Sequence, residues 1–191
     1  LRAMVPAARV LRRRRQPVCE RQPPTQAEFA ALLAECDKLP QSRAGLVVRF
    51  LSHTGMRITE ARALRWADVG ADWITVPGSI TKNSRPRLIP IIRGLGETLA
   101  RLRALTGAGG YVLPRPAIRM GLAKACARAG LRSFTPHDFR RLFATRCIES
   151  GVDLPTAARW LGHGDGGALL ARTYFKLQDV HAREMAVLVC V

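Results

Sequence analysis

Residues 135–176 contain the densest set of helix-boundary signals in this chain. Thr135, Pro136 and Asp138 form the pattern of an N-cap, a first-turn proline and a variant capping box, so a helix is predicted to begin at Pro136. Gly151 is predicted to end that helix. Starts and stops this closely spaced restrict the segment to short helices joined by tight turns.

A second helix is predicted to open at Asp153 and Pro155 and to end at Gly162. Tyr174 would follow on a third helical piece. A layout of three helices and two turns would bring polar side chains from distant positions around one cavity. Those side chains are His137, Arg140, His163 and Tyr174.

Helix signals also recur earlier in the chain. A capping box of Thr25 and Glu28 opens a helix that stops near residue 39, and a nearly all-apolar, buried helix is predicted over residues 43–53. Two further helices are predicted over residues 94–106 and 117–129. The apolar face of the first of these is predicted to comprise Leu95, Leu99, Leu102 and Leu105.

The periodicity changes between residues 73 and 92, where three short β-type runs are separated by Pro-Gly and Asn-Ser turn signals. They predict a small three-stranded antiparallel sheet over residues 73–76, 80–82 and 87–91, with Lys82 beside a hairpin turn. A lone Lys in such a place is ordinarily only solvated. The predicted fold class is therefore α+β, mainly helical.

Charge indicates the kind of partner. The formal net charge is +17, far more than solubility requires, which favours a polyanion such as double-stranded DNA. A ribosomal-type protein or a merely basic surface protein is the alternative that charge alone leaves open. Residues 1–24, rich in Arg and Pro, are interpreted as either a disordered tail or a DNA-tracking linker.

The 5 cysteines show neither CxxC spacing nor any other metal-ligand spacing, so reduced thiols and a cytoplasmic location are predicted. No metal and no other cofactor is expected. No apolar run is long enough to span a membrane.

Four motifs in order carry a family resemblance: TGMRITEARALRW, HDFRRLFAT, WLGH and ARTYF. Together they resemble the arginine, histidine and tyrosine boxes of the tyrosine recombinase (phage integrase) family, and TKNSRPRLIPI resembles the hairpin on which that family carries a lysine. The resemblance implies an integrase-type DNA breaking-rejoining fold, with a catalytic domain over residues 25–182. It also implies self-association into a dimer or tetramer on DNA, with the apolar residues 183–191 passed to a neighbouring protomer.

Guanidinium groups suit a phosphodiester under attack, because they contact its oxygens bidentately and keep their proton. By resemblance, Arg57 and Arg140 hold the phosphate and Glu60 orients its neighbours. A structural ion pair is the alternative for Arg57 and Glu60. Contacts to DNA phosphates are predicted for Arg85, Arg87 and Arg141.

The resemblance makes Tyr174 the nucleophile, which attacks the phosphate and leaves a 3′-phosphotyrosyl link. His137 accepts a proton, His163 hydrogen-bonds the phosphate, and Lys82 protonates the departing sugar oxygen. Many family members have a second His where this chain has Arg141, which implies altered tuning of activity and not its loss.

Two other functions stay open. A type IB topoisomerase uses related chemistry to relax supercoils, and a prophage-derived DNA-binding module would have no catalytic activity.

Overall fold

The computed structural model describes residues 22–38, 43–114, 118–164, 167–168 and 171. Tyr174, most of the predicted basic segment and all of the predicted apolar tail lie outside these residues. The helices are α1 (Gln26–Asp37), α2 (Ala44–Thr54), α3 (Ile58–Ala63), α4 (Arg93–Thr106), α5 (Ile118–Arg128), α6 (Pro136–Glu149) and α7 (Leu154–Leu161). The strands are β1 (Trp73–Val76) and β2 (Arg87–Pro90).

The predicted helix starts at residues 25 and 135 are confirmed by their hydrogen bonds. The backbone N–H of Thr25 donates to Glu28 Oε2 (2.7 Å), and the N–H of Glu28 donates to Thr25 Oγ1 (3.2 Å). At α6, Thr135 donates to Asp138 Oδ2 from its N–H (2.7 Å) and from its hydroxyl (2.8 Å). These local bonds satisfy backbone and side-chain groups of each first turn without any tertiary contact.

The α7 helix also has its predicted ends. The side chain of Asp153 accepts a bond of 2.8 Å from the N–H of Thr156, and Gly162 ends the helix at a φ of +69°. A positive φ suits glycine because no Cβ meets the backbone. This turn determines the direction in which His163 leaves the helix.

The centre of the fold is α2, which packs against α1, α4, α5 and α6. Its Val48, Phe50 and Leu51 are fully buried, so the prediction of a buried apolar helix here is confirmed. The α6 helix is anchored by Phe139, whose ring centroid lies 6.3 Å from that of Phe29. This ring contact joins α1 to α6 in the core and leaves the polar face of α6 for other contacts.

The sheet has two strands in the described residues, so the prediction of three is wrong. Val76 pairs with Arg87 and Trp73 with Pro90 in an antiparallel register. The run expected to form the middle strand instead begins at the last residue of a 3₁₀ turn, Gly78–Ile80. Thr81, which follows this turn, donates from its hydroxyl to the carbonyls of Gly78 (3.0 Å) and Arg85 (3.1 Å). Because these polar groups are satisfied locally, the segment forms a long hairpin connection.

The amphipathic helix predicted over residues 94–106 corresponds to α4, with one difference. Leu95, Leu99 and Leu102 are buried, but Leu105 is 39% exposed, near the last turn. The helix ends one residue later, at Thr106, so Leu105 lies in its last turn.

None of the helices in the described part of the chain is long and apolar enough to cross a membrane.

Candidate active site

Arg140 connects two distant parts of the chain. Its side chain is buried in α6, and its Nη1 donates a bond of 2.7 Å to the carbonyl of Gly55, while Nη2 donates one of 2.7 Å to the carbonyl of Leu161. Gly55 lies two residues before Arg57, and Leu161 two residues before His163. The contacts of one guanidinium thus bring three of the predicted site residues into one region.

Gly55 allows this approach because it has no side chain. Its φ is +60°, and an added Cβ would lie 2.5 Å from Phe143 Cδ1 and 2.8 Å from Leu161 Cδ2. Both the left-handed backbone and the crowding exclude larger residues. The turn that precedes Arg57 is therefore packed directly on α6 and α7.

Arg57 begins α3 and contacts Glu60 one turn later. Its Nη1 donates to Glu60 Oε1 (2.8 Å) and its backbone N–H to Glu60 Oε2 (3.1 Å). The Glu60 side chain is 1% exposed, whereas that of Arg57 is 33% exposed. The ion pair of Arg57 and Glu60, which the sequence left as an alternative, is present in the structure. It leaves one side of the Arg57 side chain open to an incoming group.

Burial by itself would raise the pKa of Glu60, but the hydrogen bond and charge of Arg87, and then the side-chain and backbone hydrogen bonds of Arg57, hold this pKa below its usual value. The carboxylate is therefore charged at neutral pH. A charged Glu60 fixes the guanidinium of Arg57 by a charge-assisted bond.

Arg87, for which a contact to a DNA phosphate is predicted, is bonded inside the protein. Its side chain is only 4% exposed, with Nη2 donating to Glu60 Oε2 (2.6 Å) and Nε donating to the carbonyl of Trp160 (2.8 Å). The position could have been found from the two-residue alternation of β2, in which Arg87 shares the inner face with Ile89 while Leu88 is exposed.

Lys82 and Arg85 are exposed in the connection between β1 and β2. This connection lies near the turn after α7, since a Cβ on Gly164 would be 3.9 Å from Asn83 Nδ2. The hairpin that carries Lys82 is thus a neighbour of the segment that carries His163.

His137 is exposed in the first turn of α6. Its pKa is lowered, first by partial burial and then by the positive charges of Arg141, Arg140 and Arg57, against an opposing effect of Asp138. The imidazole is therefore neutral at neutral pH and able to accept a proton. Both predicted phosphate-binding arginines act on it electrostatically.

Tyr174 lies outside the described residues, so its role as nucleophile stays a prediction. His163 follows the Gly162 turn, half-buried, with its N–H bonded to the carbonyl of Ala158 (2.9 Å). The described residues bring together the following predicted site residues or the segments that carry them: Arg57, Glu60, Lys82, His137, Arg140 and His163.

Within the described ranges, no three His, Cys, Asp or Glu side chains are grouped so that they could hold a metal ion. A cleft of about 1060 Å³ lies elsewhere, between residues 22–26, α6 and α7. Arg141 is the predicted site residue in its lining, and His53 and Trp160 also contribute to it. Within the described residues, none of the predicted catalytic side chains lines this cleft.

Comparison with known proteins gives the following matches. The sequence model of the phage integrase family matches residues 24–181. The tyrosine recombinase XerC of Mesorhizobium japonicum is 30% identical over 174 residues, a match that covers 82% of this chain and 56% of XerC. The chain thus spans little more than half the length of this relative.

Two solved structures have a similar fold. XerA recombinase aligns with a TM-score of 0.68 at 21% identity, covering 87% of this chain and 65% of XerA. The catalytic domain of bacteriophage HP1 integrase aligns with a TM-score of 0.66 at 25% identity, covering 81% of this chain and 87% of that domain. The fold predicted from the sequence is confirmed, apart from its third strand.

Proposed function

Since this chain belongs to the phage integrase family, we propose that it is a site-specific DNA recombinase, which cleaves and rejoins strands through a covalent 3′-phosphotyrosyl intermediate. The observation that supports this most strongly is the double contact of Arg140. One guanidinium binds the carbonyls of Gly55 and Leu161, next to the segments that carry Arg57 and His163. These bonds preorganise the segments of Arg57 and His163 around the positive charge of Arg140, and preorganised charge stabilises the negative charge that develops on a phosphate.

In the proposed reaction, the Tyr174 hydroxyl attacks a backbone phosphorus and its proton passes to neutral His137. A bond forms between the tyrosine oxygen and phosphorus, and the bond from phosphorus to the 5′ oxygen breaks. Lys82 donates the proton that the departing 5′ oxygen requires. Arg57, Arg140 and His163 contact the nonbridging oxygens, whose negative charge increases in the transition state.

The reverse reaction rejoins the strand to a different 5′ hydroxyl. Because the phosphotyrosyl ester conserves the free energy of the phosphodiester bond that was broken, no nucleotide cofactor is consumed. The same residues serve in both directions, with His137 returning the proton to the tyrosine oxygen and Lys82 accepting one from the new hydroxyl.

Double-stranded DNA is the proposed partner, and the net charge of +17 supports it. We also propose assembly into a dimer or tetramer on DNA, with residues 183–191 contacting a neighbouring protomer. Deletion of these residues should reduce self-association on DNA in a crosslinking assay. Unchanged self-association would exclude the proposed contact.

The function is tested with nicked duplexes of randomised sequence, incubated with the full chain in EDTA. A nick near the cleavage point releases a short fragment, so that a covalent adduct accumulates. The parent should give a slower band on a denaturing gel, and Tyr174→Phe should give none. DNA binding by the parent without any adduct would favour a noncatalytic module. Adduct formation and supercoil relaxation without strand exchange would favour a type IB topoisomerase.

A further inference from the structure

Arg87 contacts α3, which carries Glu60, and α7, which ends two residues before His163. Its Nη2 binds Glu60 Oε2 (2.6 Å) in α3, and the other oxygen of Glu60 binds Arg57 (2.8 Å). Its Nε binds the carbonyl of Trp160 (2.8 Å) in the last turn of α7. Arg87 is thus the centre of a bonded path from Arg57 to the turn before His163.

The surroundings of Arg87 leave it little freedom to move. Its side chain is 4% exposed and that of its partner Glu60 is 1% exposed. An added Cβ on Gly162 would lie 3.0 Å from Arg87 Nη1 and 3.1 Å from its Cδ. The turn before His163 therefore rests directly on the Arg87 side chain.

The geometry of arginine explains why this residue type occupies the position. Its planar group carries donors that point in different directions from one rigid fork. A carboxylate in α3 and a carbonyl in α7 can both be bound, which fixes the separation of the two elements. Lysine has one ammonium centre at the end of a flexible stem and cannot set that separation as firmly.

We propose that Arg87 is a positioning residue, which orients Arg57 through Glu60 and the His163 turn through the carbonyl of Trp160. This positioning role rests on the proposed function, because the benefit of the alignment is faster strand cleavage. Arg87 itself does not contact DNA. An ion pair that only stabilises the fold is the competing explanation, and it predicts no specific effect on the cleavage step.

The kinetic test compares Arg87→Met and Arg87→Lys with a matched control. The control is Arg49→Met, because Arg49 also makes two bonds to a carboxylate, that of Asp37 (2.8 and 2.6 Å), and has no predicted role at the site. Adduct formation is measured in a single turnover with protein in excess over nicked DNA. Circular dichroism and thermal unfolding verify that each variant is folded.

Arg87→Met should form adduct roughly 10- to 100-fold more slowly at saturating protein, as expected when a site residue is misplaced. Its affinity for DNA should stay within about twofold of the parent, because the Arg87 guanidinium is already paired with the carboxylate of Glu60 and the carbonyl of Trp160. Arg87→Lys should recover part of the rate, and Arg49→Met should retain all of it. Parent-like cleavage by folded Arg87→Met would overturn the proposal, as would an equal loss in Arg49→Met.

A double-mutant cycle tests whether Arg87 acts through Glu60. In a Glu60→Gln background, the additional loss caused by Arg87→Met should be several-fold smaller than in the parent, because the path to Arg57 is already weakened. Full additivity of the two losses would contradict this path.

An NMR comparison without DNA separates failure of this proposal from failure of the proposed function. The imidazole signals of His163, assigned with His163→Gln, should shift more in Arg87→Met than those of His53. Arg49→Met should give the opposite pattern, because Arg49 is among the charges that act on His53. Unmoved His163 signals in Arg87→Met would overturn the positioning role even if the parent cleaves DNA. If the parent forms no adduct, the proposed function fails and these signals alone decide whether Arg87 sets the geometry.

Discussion

Arg140 donates a hydrogen bond of 2.7 Å to the backbone carbonyl of Gly55, which lies 85 residues earlier in the chain. The bond joins α6 to the turn that begins the segment of Arg57. A second bond of 2.7 Å, to the carbonyl of Leu161, joins it to the segment of His163. The position of Arg140 relative to Arg57 is therefore fixed by a bond to the backbone of Gly55, two residues before Arg57.

Gly55→Ala should destabilise the protein more than Gly130→Ala. The two glycines have similar φ values, +60° and +65°, but a Cβ at Gly55 would clash with Phe143 and Leu161, whereas nothing lies within 4 Å of one at Gly130. The backbone strain should cost about 1 kcal/mol of unfolding free energy in both variants, and overpacking a further 1–3 kcal/mol at Gly55 alone. Urea unfolding monitored by circular dichroism measures both. Equal losses would show that the clash is relieved by movement of the Phe143 ring.

The rate of adduct formation should fall at acid pH as His137 becomes protonated. Its pKa lies below the usual 6.5, through partial burial and then the charge of Arg141, so the neutral acceptor form persists below pH 6.5 and is lost as pH falls through the lowered pKa. Removal of one positive charge in Arg141→Gln should raise this pKa and move the acid limb to higher pH. Single-turnover rates from pH 5 to pH 8 measure the shift, and His137→Gln should abolish the limb. A limb at the same pH in Arg141→Gln would contradict the assignment to His137.

Arg85 and Arg87 should differ in their effect on the salt dependence of DNA binding. Arg85 is exposed in the hairpin connection, while Arg87 is buried against Glu60. Arg85→Gln should make the slope of log affinity against log salt less negative by about 0.9, the contribution of one phosphate contact. Arg87→Gln should leave the slope unchanged. Fluorescence anisotropy with a labelled duplex at several salt concentrations measures both slopes. A slope less negative in Arg87→Gln than in Arg85→Gln would contradict the prediction, because Arg87 and not Arg85 would then contact a phosphate.

Local signals predicted the helix boundaries near the candidate site. Thr25 with Glu28, Thr135 with Asp138, and Asp153 each supply a side chain that bonds within its own first turn. Such bonds connect residues three positions apart, so they can be predicted from the sequence. The core face of α4 could be predicted for the same reason, except at its last turn.

The misplaced features depend on contacts between distant residues. The alternation of β2 places Arg87 on the inner face, but its partners, a carboxylate in α3 and a carbonyl in α7, do not follow from the letters around it. Residues 80–82 have the β-type pattern of a strand, but the Thr81 hydroxyl bonds within its own turn and the third strand does not form. The bond from Arg140 to Gly55 likewise depends on how α2 packs against α6.

The proposed nucleophile is Tyr174, which we expect to form a covalent link to a 3′ phosphate. Mass spectrometry of the adduct after digestion with protease and nuclease identifies the linked residue, with the DNA labelled separately on the 3′ and 5′ sides of the nick. We expect a nucleotide attached to the peptide that contains Tyr174, joined through its 3′ phosphate, with a free 5′ hydroxyl on the other strand end. Attachment to another residue, or a link through a 5′ phosphate, would contradict this expectation.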